Sequence, residues 1–199
     1  SSIRGYIETL LEQPHITPDK QHFFLERTHS QIVRLSDLIR DIALITKTEE
    51  ASELFDKEQV NVHNTLQEVI NDLHSPIVAH GINVKNEINP QTVIEGNKTL
   101  VYAIFRNLIE NSINYAGDHI SIGVNNYMED KEFYYFSYYD TGQGIEENHL
   151  NRIFERFYRV CEGRSRQNGG SGLGLSIVKN AVLFHKGDIS AKNRKDGGL

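Results

Sequence analysis

DTGQG at Asp140–Gly144 and GGSGLGL at Gly169–Leu175 are two glycine clusters separated by a polar stretch, and NLIEN at Asn107–Asn111 precedes both. Glycine lets backbone approach a ligand closely, because no Cβ stands in the way. An aspartate ahead of the first cluster can accept a hydrogen bond from an amino group, and helix-borne asparagines can offer neutral oxygens to a hard cation. Each motif alone is a common turn or a polar helix face. In this order they describe a nucleotide pocket, and the flanking sequence must build a mixed α and β frame to hold it.

The frame is legible outward from the clusters. Asn97–Tyr115 reads as a helix, with Leu100, Ile104, Leu108 and Ile109 facing inward. Ser121–Tyr127 and Glu132–Tyr139 alternate and read as neighbouring strands, the second rich in aromatics. Gly172–His185 reads as a helix opened by glycines, and Asp188–Asn193 as a further strand. Upstream, Glu58–Val62, Ile82–Ile88 and Thr92–Glu95 read as strands, and His63–His80 as one helix with Leu66, Val69, Ile70 and Leu73 on one face. Strands and helices mix without strict βαβ alternation. The predicted class is α+β, a two-layer α/β sandwich whose mixed sheet carries helices on one face. The predicted domain runs from 51 to 199.

Residues 1–50 follow a different pattern. Over 19–48, Leu25, Thr28, Ile32, Leu35, Ile39 and Ile42 recur in alternating steps of three and four, a bundle or coiled-coil seam. Ile3, Ile7 and Leu10 repeat that spacing, and the polar Glu12–Pro18 between the two segments holds two prolines. This predicts an antiparallel helical hairpin with a short first arm. An arm of about three turns is too short to be stable alone, so it packs on the second helix, within a dimer.

Composition narrows the function classes. A net charge of −6 argues against a general nucleic-acid binder. Cys161 is the single cysteine, which rules out an intrachain disulfide and suits a reducing compartment. No apolar run is long enough to span a bilayer.

Asn107 and Asn111 lie four apart on one helix face, with Asn114 close to it. Magnesium takes few protein oxygens and keeps waters and phosphate oxygens for the rest, so one amide oxygen from Asn111 suffices. Asp140 is placed to accept from the adenine amino group. Guanine would present a carbonyl there and leave two acceptors unpaired. GGSGLGL opens a helix whose amides and dipole favour phosphate. It lacks the preceding strand of a dinucleotide fingerprint and the Gly-Lys-Ser/Thr of a Walker loop. Between the clusters, Phe154–Asn168 has the character of a lid, with arginines for a triphosphate.

The order NLIEN, DTGQG, FERFY, GGSGLGL resembles the N, G1, F and G2 boxes of two-component sensor histidine kinases, of the GHKL (Bergerat) ATP-binding fold, over residues from about 55 to 199. SSIRGYIETLLEQP is similar to the stretch following the phosphoacceptor box in that family's dimerisation helix. The resemblance implies a protein histidine kinase using ATP and magnesium. It gives Asn111 to the metal, and Asn107 to the metal and phosphate side and to catalysis. It sets Asp140 on adenine, with Gly142, Gly144 and Ile145 shaping the floor and Tyr115 packing near the base. Gly170, Ser171, Gly172, Leu173, Gly174 and Leu175 approach the phosphates. Phe154 anchors the lid, and one of Arg159, Arg164 and Arg166 reaches the terminal phosphate. Many relatives carry a lysine or arginine where Asn114 stands, so phosphate contact from that position departs from the pattern.

The acceptor box, similar to His-Glu-x-x-Thr-Pro, is not in this sequence, and none of the nine histidines stands in such a context. The resemblance therefore implies an acceptor upstream of Ser1 and a final strand beyond Leu199. It also implies a homodimer through the hairpin, a response-regulator receiver domain as partner, and a cytoplasmic location with membrane attachment only through other segments. Hydrolytic GHKL relatives place a glutamate where Asn107 stands, and a carboxamide cannot act as a general base. The alternatives are a degenerate nucleotide-binding or dimerisation module and a hydrolytic GHKL ATPase.

Overall fold

The computed structural model describes residues 2–13, 16–50, 55–160 and 170–199. The elements run α1 (Ser2–Glu12), α2 (Pro18–Glu50), β1 (Glu58–Asn61), α3 (Val62–Asp72), α4 (His74–Ala79), β2 (Asn83–Glu87), β3 (Val93–Gly96), α5 (Lys98–Tyr115), β4 (Ser121–Glu129), β5 (Tyr134–Asp140), α6 (Glu147–Leu150) and α7 (Gly174–Phe184). The chain divides into two compact units, Ser1–Ala43 and Leu44–Leu199. The second unit thus starts inside α2 rather than after residue 50. Leu44 packs on the Phe55, Leu100 and Ala181 cluster, and Ile45 is buried, so the last turns of α2 serve the second core.

In the first unit α1 and α2 form the expected helical pair. Tyr6 stacks on Phe24 with ring centroids 5.6 Å apart. The two rings are equally far from the connecting segment, as in a helical hairpin. Leu25, Ile32, Leu35, Ile39 and Ile42 are exposed, whereas Thr28 in the same seam is buried. A long apolar stripe left open to water is unusual for a finished surface.

The second unit is the α/β sandwich. Its main sheet has the order β2-β4-β5, with β2 and β4 parallel and β4 and β5 antiparallel; β1 and β3 form a separate antiparallel pair. One face of the sheet packs on helices. Leu66 and Val69 of α3, Phe105, Ile109 and Ile113 of α5, and Ile122 and Val124 of β4 share a single core. The buried stripe of α5 takes in Val101, Ala103, Phe105, Ser112 and Ile113 beside Leu100 and Ile109, whereas the expected Ile104 and Leu108 are only half-buried at its edge. Asn97 begins α5 by accepting from Leu100 N–H at 3.1 Å. On the opposite face of β4, Tyr139 lies across Gly123, and the Arg194 guanidinium sits 4.3 Å from the centre of that ring.

Two expectations are corrected. His63–His80 is not one helix: α3 ends at Asp72 and α4 restarts at His74. Pro76 has no N–H to return to Asp72, so the ladder breaks there. Residues 188–193 form no strand, and no ladder partner stands beside them among the described residues. Asn193 instead turns its amide to the backbone N–H and C=O of Ile145.

Candidate nucleotide site

The site forms where the C-terminal half of α5 meets the two glycine segments. Asn107 and Gly174 are in contact, with Asn107 Oδ1 2.8 Å from the position a Cβ on residue 174 would take. Two turns along, the Tyr115 hydroxyl lies against Gly170. Asn111 falls between these points on the same face and is half-buried. At the end of the helix, a Cβ on Gly142 would stand 2.6 Å from Ala116 Cβ. All three predicted motifs are therefore brought together, and the close approaches explain glycine at 142, 170 and 174.

Asp140 ends β5 and is buried, 7% exposed. Its Oδ1 accepts from Gly142 N–H at 2.9 Å and from Leu199 N–H at 3.4 Å. Its Oδ2 accepts from Ser112 Oγ at 3.0 Å. Ser112 Oγ is also 2.8 Å from Tyr138 Oη, which lies 3.0 Å from the Leu108 carbonyl. Burial pushes the Tyr138 phenol far up from its ordinary value, so it stays a neutral donor. Arg194 donates to the Asp140 carbonyl at 3.1 Å. Ser112, Tyr138, Asn193 and Arg194 were not singled out from sequence. The one available signal was a serine inside the apolar stripe of α5, which demands a partner.

The second cluster opens α7. Leu173 is its N-cap residue and no side chain caps the helix, which leaves its first N–H groups for an anion. Ser171 Oγ accepts from Leu173 N–H at 3.2 Å, and Leu173 itself is buried. Gly172 has φ +73°, and its carbonyl accepts from Phe157 N–H at 2.8 Å. Leu175 is half-buried in the first turn of α7. Gly144, at φ +72°, and Ile145 form the loop held by Asn193.

The remaining predicted residues are placed less centrally. Asn114 is exposed and donates to the Glu110 carbonyl at 2.7 Å. Phe154 and Arg159 are half-buried in the segment after α6. Arg164, Arg166 and Gly169 lie outside the described residues, as does most of the expected lid. Among the described residues no group of three or more His, Cys, Asp or Glu could hold a metal. No helix among the described residues is long and apolar enough to cross a membrane.

Residues 96–199 match the family model described as histidine kinase-, DNA gyrase B-, and HSP90-like ATPase. The chain is 30% identical over 184 residues to the phosphate regulon sensor protein PhoR of Pseudomonas aeruginosa, covering 92% of this chain and 41% of that protein. It is 30% identical over 202 residues to the sensor histidine kinase WalK of Bacillus subtilis, covering 100% of this chain and 33% of that one. The chain thus spans well under half the length of either relative. Two solved structures share the fold. Full-length ShkA in complex with AMPPNP gives a TM-score of 0.75 at 21% identity, over 97% of this chain and 40% of that one. Histidine kinase ThkA in complex with response regulator protein TrrA gives 0.73 at 20% identity, over 98% and 54%.

Proposed function

Because the chain belongs to the histidine kinase-, DNA gyrase B-, and HSP90-like ATPase family, we propose that it is the ATP-binding catalytic part of a sensor histidine kinase. It binds magnesium-ATP and passes the γ-phosphate to a histidine outside residues 1–199, for relay to an aspartate of a response regulator. The observation that carries transfer rather than hydrolysis is the group at position 107. Asn107 Nδ2 donates to the Ala103 carbonyl at 2.8 Å, which turns Oδ1 toward Gly174 at the mouth of α7. A fixed carboxamide stands at position 107 in place of a proton-accepting carboxylate that would activate water. Lacking such a base costs about 10²–10⁴-fold in hydrolysis. An imidazole nucleophile needs no strong base, because its pKa of roughly 6.5 leaves it neutral at working pH.

The residues divide the work. Asp140 accepts from the adenine amine, and the Gly142–Ile145 loop shapes the floor beneath the base. Tyr115 borders the base from α5. The first amides of α7 bind phosphate oxygens, with Gly170, Ser171 and Gly172 keeping the approach open. Magnesium, held by Asn111, would screen the charge between the terminal phosphates. Arg159, Arg164 and Arg166 are the candidates for the γ-phosphate, and Phe154 for the anchor of a lid. The exposed stripe on α2 supports a homodimer through the helical pair. The ThkA–TrrA complex supports a response regulator, through its receiver domain, as partner, and the proposed site of action of this part is cytoplasmic.

Two measurements test this. Residues 1–199 should bind magnesium-ATP yet turn it over more slowly than ~1 s⁻¹, below the range typical of enzymes. A longer polypeptide that includes the acceptor helix should acquire acid-labile, base-stable phosphate from labelled ATP, and Asn111→Ala should abolish it. Bound nucleotide without label would leave a non-catalytic binding module. Unchanged labelling in Asn111→Ala would remove the metal assignment.

A further inference from the structure

The buried carboxylate of Asp140 is held from behind by Ser112, which is itself backed by Tyr138. Ser112 comes from α5 and Tyr138 from β5, two residues before Asp140, so both lie on the core side of the carboxylate. Ser112 Oγ reaches Asp140 Oδ2 at 3.0 Å and Tyr138 Oη at 2.8 Å. Ser112 has one proton to give and two acceptors within reach, and the charged one is the stronger. Ser112 therefore donates to Asp140. Tyr138 also has one proton, with Ser112 Oγ and the Leu108 carbonyl, 3.0 Å away, as its acceptors. The Leu108 carbonyl already has the Ser112 N–H of the helix ladder as a partner. The Tyr138 proton therefore goes to Ser112 Oγ, the shorter of its two contacts, which completes a chain from Tyr138 through Ser112 to Asp140. Chains of this kind strengthen the bond at their end.

The other carboxylate oxygen is fixed by Gly142 N–H at 2.9 Å. The carboxylate is thus gripped on both oxygens, and its plane is set before a ligand arrives. We infer that Ser112, oriented by Tyr138, is a positioning residue for base selectivity: it locks Asp140 as an acceptor-only group and so sets the preference for an amino-purine over an oxo-purine. This inference rests on the reading of Asp140 as the adenine contact. A pinned acceptor rewards an amine and opposes a carbonyl facing it. A carboxylate free to rotate can turn away from the carbonyl and loses part of that penalty. Burial of the phenol keeps Tyr138 protonated throughout the usable pH range.

The test is a comparison of magnesium-ATP and magnesium-GTP affinity by calorimetric titration in the whole chain and three variants. The unaltered protein should prefer ATP. Ser112→Ala should lower the ATP-to-GTP preference on the order of tenfold, the equivalent of one hydrogen bond to a charged group. Ser112→Thr, which keeps the hydroxyl, should retain it. Tyr138→Phe should lower it in the same direction by a smaller factor. A purely structural role would weaken both nucleotides alike and leave the ratio unmoved. If Ser112→Ala binds ATP with its preference within twofold of the parent, the inference is overturned while the ATP reading stands. If the parent protein binds neither nucleotide, both fall together. Should Ser112→Ala fail to fold, Tyr138→Phe decides by the same ratio.

Discussion

Asn107 and Gly174 are fitted to each other: the amide oxygen of one occupies the space a side chain on the other would need, 2.8 Å from a Cβ at 174. The amide cannot simply swing aside, because its nitrogen is tied to the Ala103 carbonyl at 2.8 Å. Gly174→Ala should therefore displace Asn107 without unfolding the domain. The expected cost in stability is about 1–3 kcal/mol, as for other overpacked contacts. ATP affinity should fall by roughly tenfold, about one hydrogen bond's worth. Nucleotide titration beside a denaturant curve checks both. Unchanged affinity in a folded variant would detach Asn107 from the phosphate side.

Asp140→Asn separates recognition from folding. The new amide can keep its oxygen on Gly142 N–H and turn its nitrogen to Ser112 Oγ, which then gives its own proton to Tyr138 instead. All present partners at 2.9 and 3.0 Å remain usable. The fold should survive with a modest loss, while ATP affinity drops about 10–100-fold for want of the charged acceptor. Equal affinity in the folded variant would remove Asp140 from adenine recognition.

Why those contacts lay hidden, while the elements carrying them did not, follows from distance along the chain. The α5 helix was readable because its cap, Asn97, and its apolar stripe lie within one local pattern. The motifs at 107–111, 140–144 and 169–175 were readable because glycine and asparagine have few reasons to recur in that order. The grip of Ser112 and Tyr138 on Asp140 was not, since Ser112 reaches across 28 residues to a partner no periodicity announces. Asn193 likewise bridges 48 residues to Ile145, a use of its amide that the alternation at 188–193 does not announce. The helix break at Leu73 was legible in principle from Pro76, but the apolar spacing running through it outweighed the proline.

Two glycines should respond in opposite directions. Gly172 has φ +73°, and a Cβ there would stand 2.9 Å from the Phe157 backbone. Gly172→Ala should cost about 1–3 kcal/mol in the second unit from backbone strain alone. Gly5 is exposed within α1, and a Cβ there meets nothing within 4 Å. Gly5→Ala should stabilise α1 by roughly 0.5–1 kcal/mol, the helix penalty of glycine. Thermal unfolding followed by circular dichroism distinguishes them, and a destabilised Gly5→Ala would contradict the open surroundings of that residue.

His185 makes the second unit sensitive to acid. It ends α7 with Nδ1 2.7 Å from the Ala181 carbonyl, so that nitrogen carries hydrogen, and Nε2 accepts from Asn97 N–H at 3.1 Å. Both nitrogens are committed to one neutral tautomer. A second proton on Nε2 would face the Asn97 N–H, next to the start of α5, where the helix dipole is positive. Burial lowers the His185 pKa, the Ala181 bond opposes that, and the nearby Lys57 charge adds to the lowering. A depressed histidine pKa favours the neutral form in the fold. Its stabilisation is then complete above the ordinary value of 6.5 and is lost as pH falls through the lower folded value. Denaturant midpoints should fall between pH 7.5 and pH 5, and the fall should be smaller in His185→Gln, whose amide can accept from Asn97 at either pH. Because every other group is common to both proteins, the difference between the two curves isolates this residue. Identical pH slopes would show that the latch between α5 and α7 does not depend on the protonation of His185.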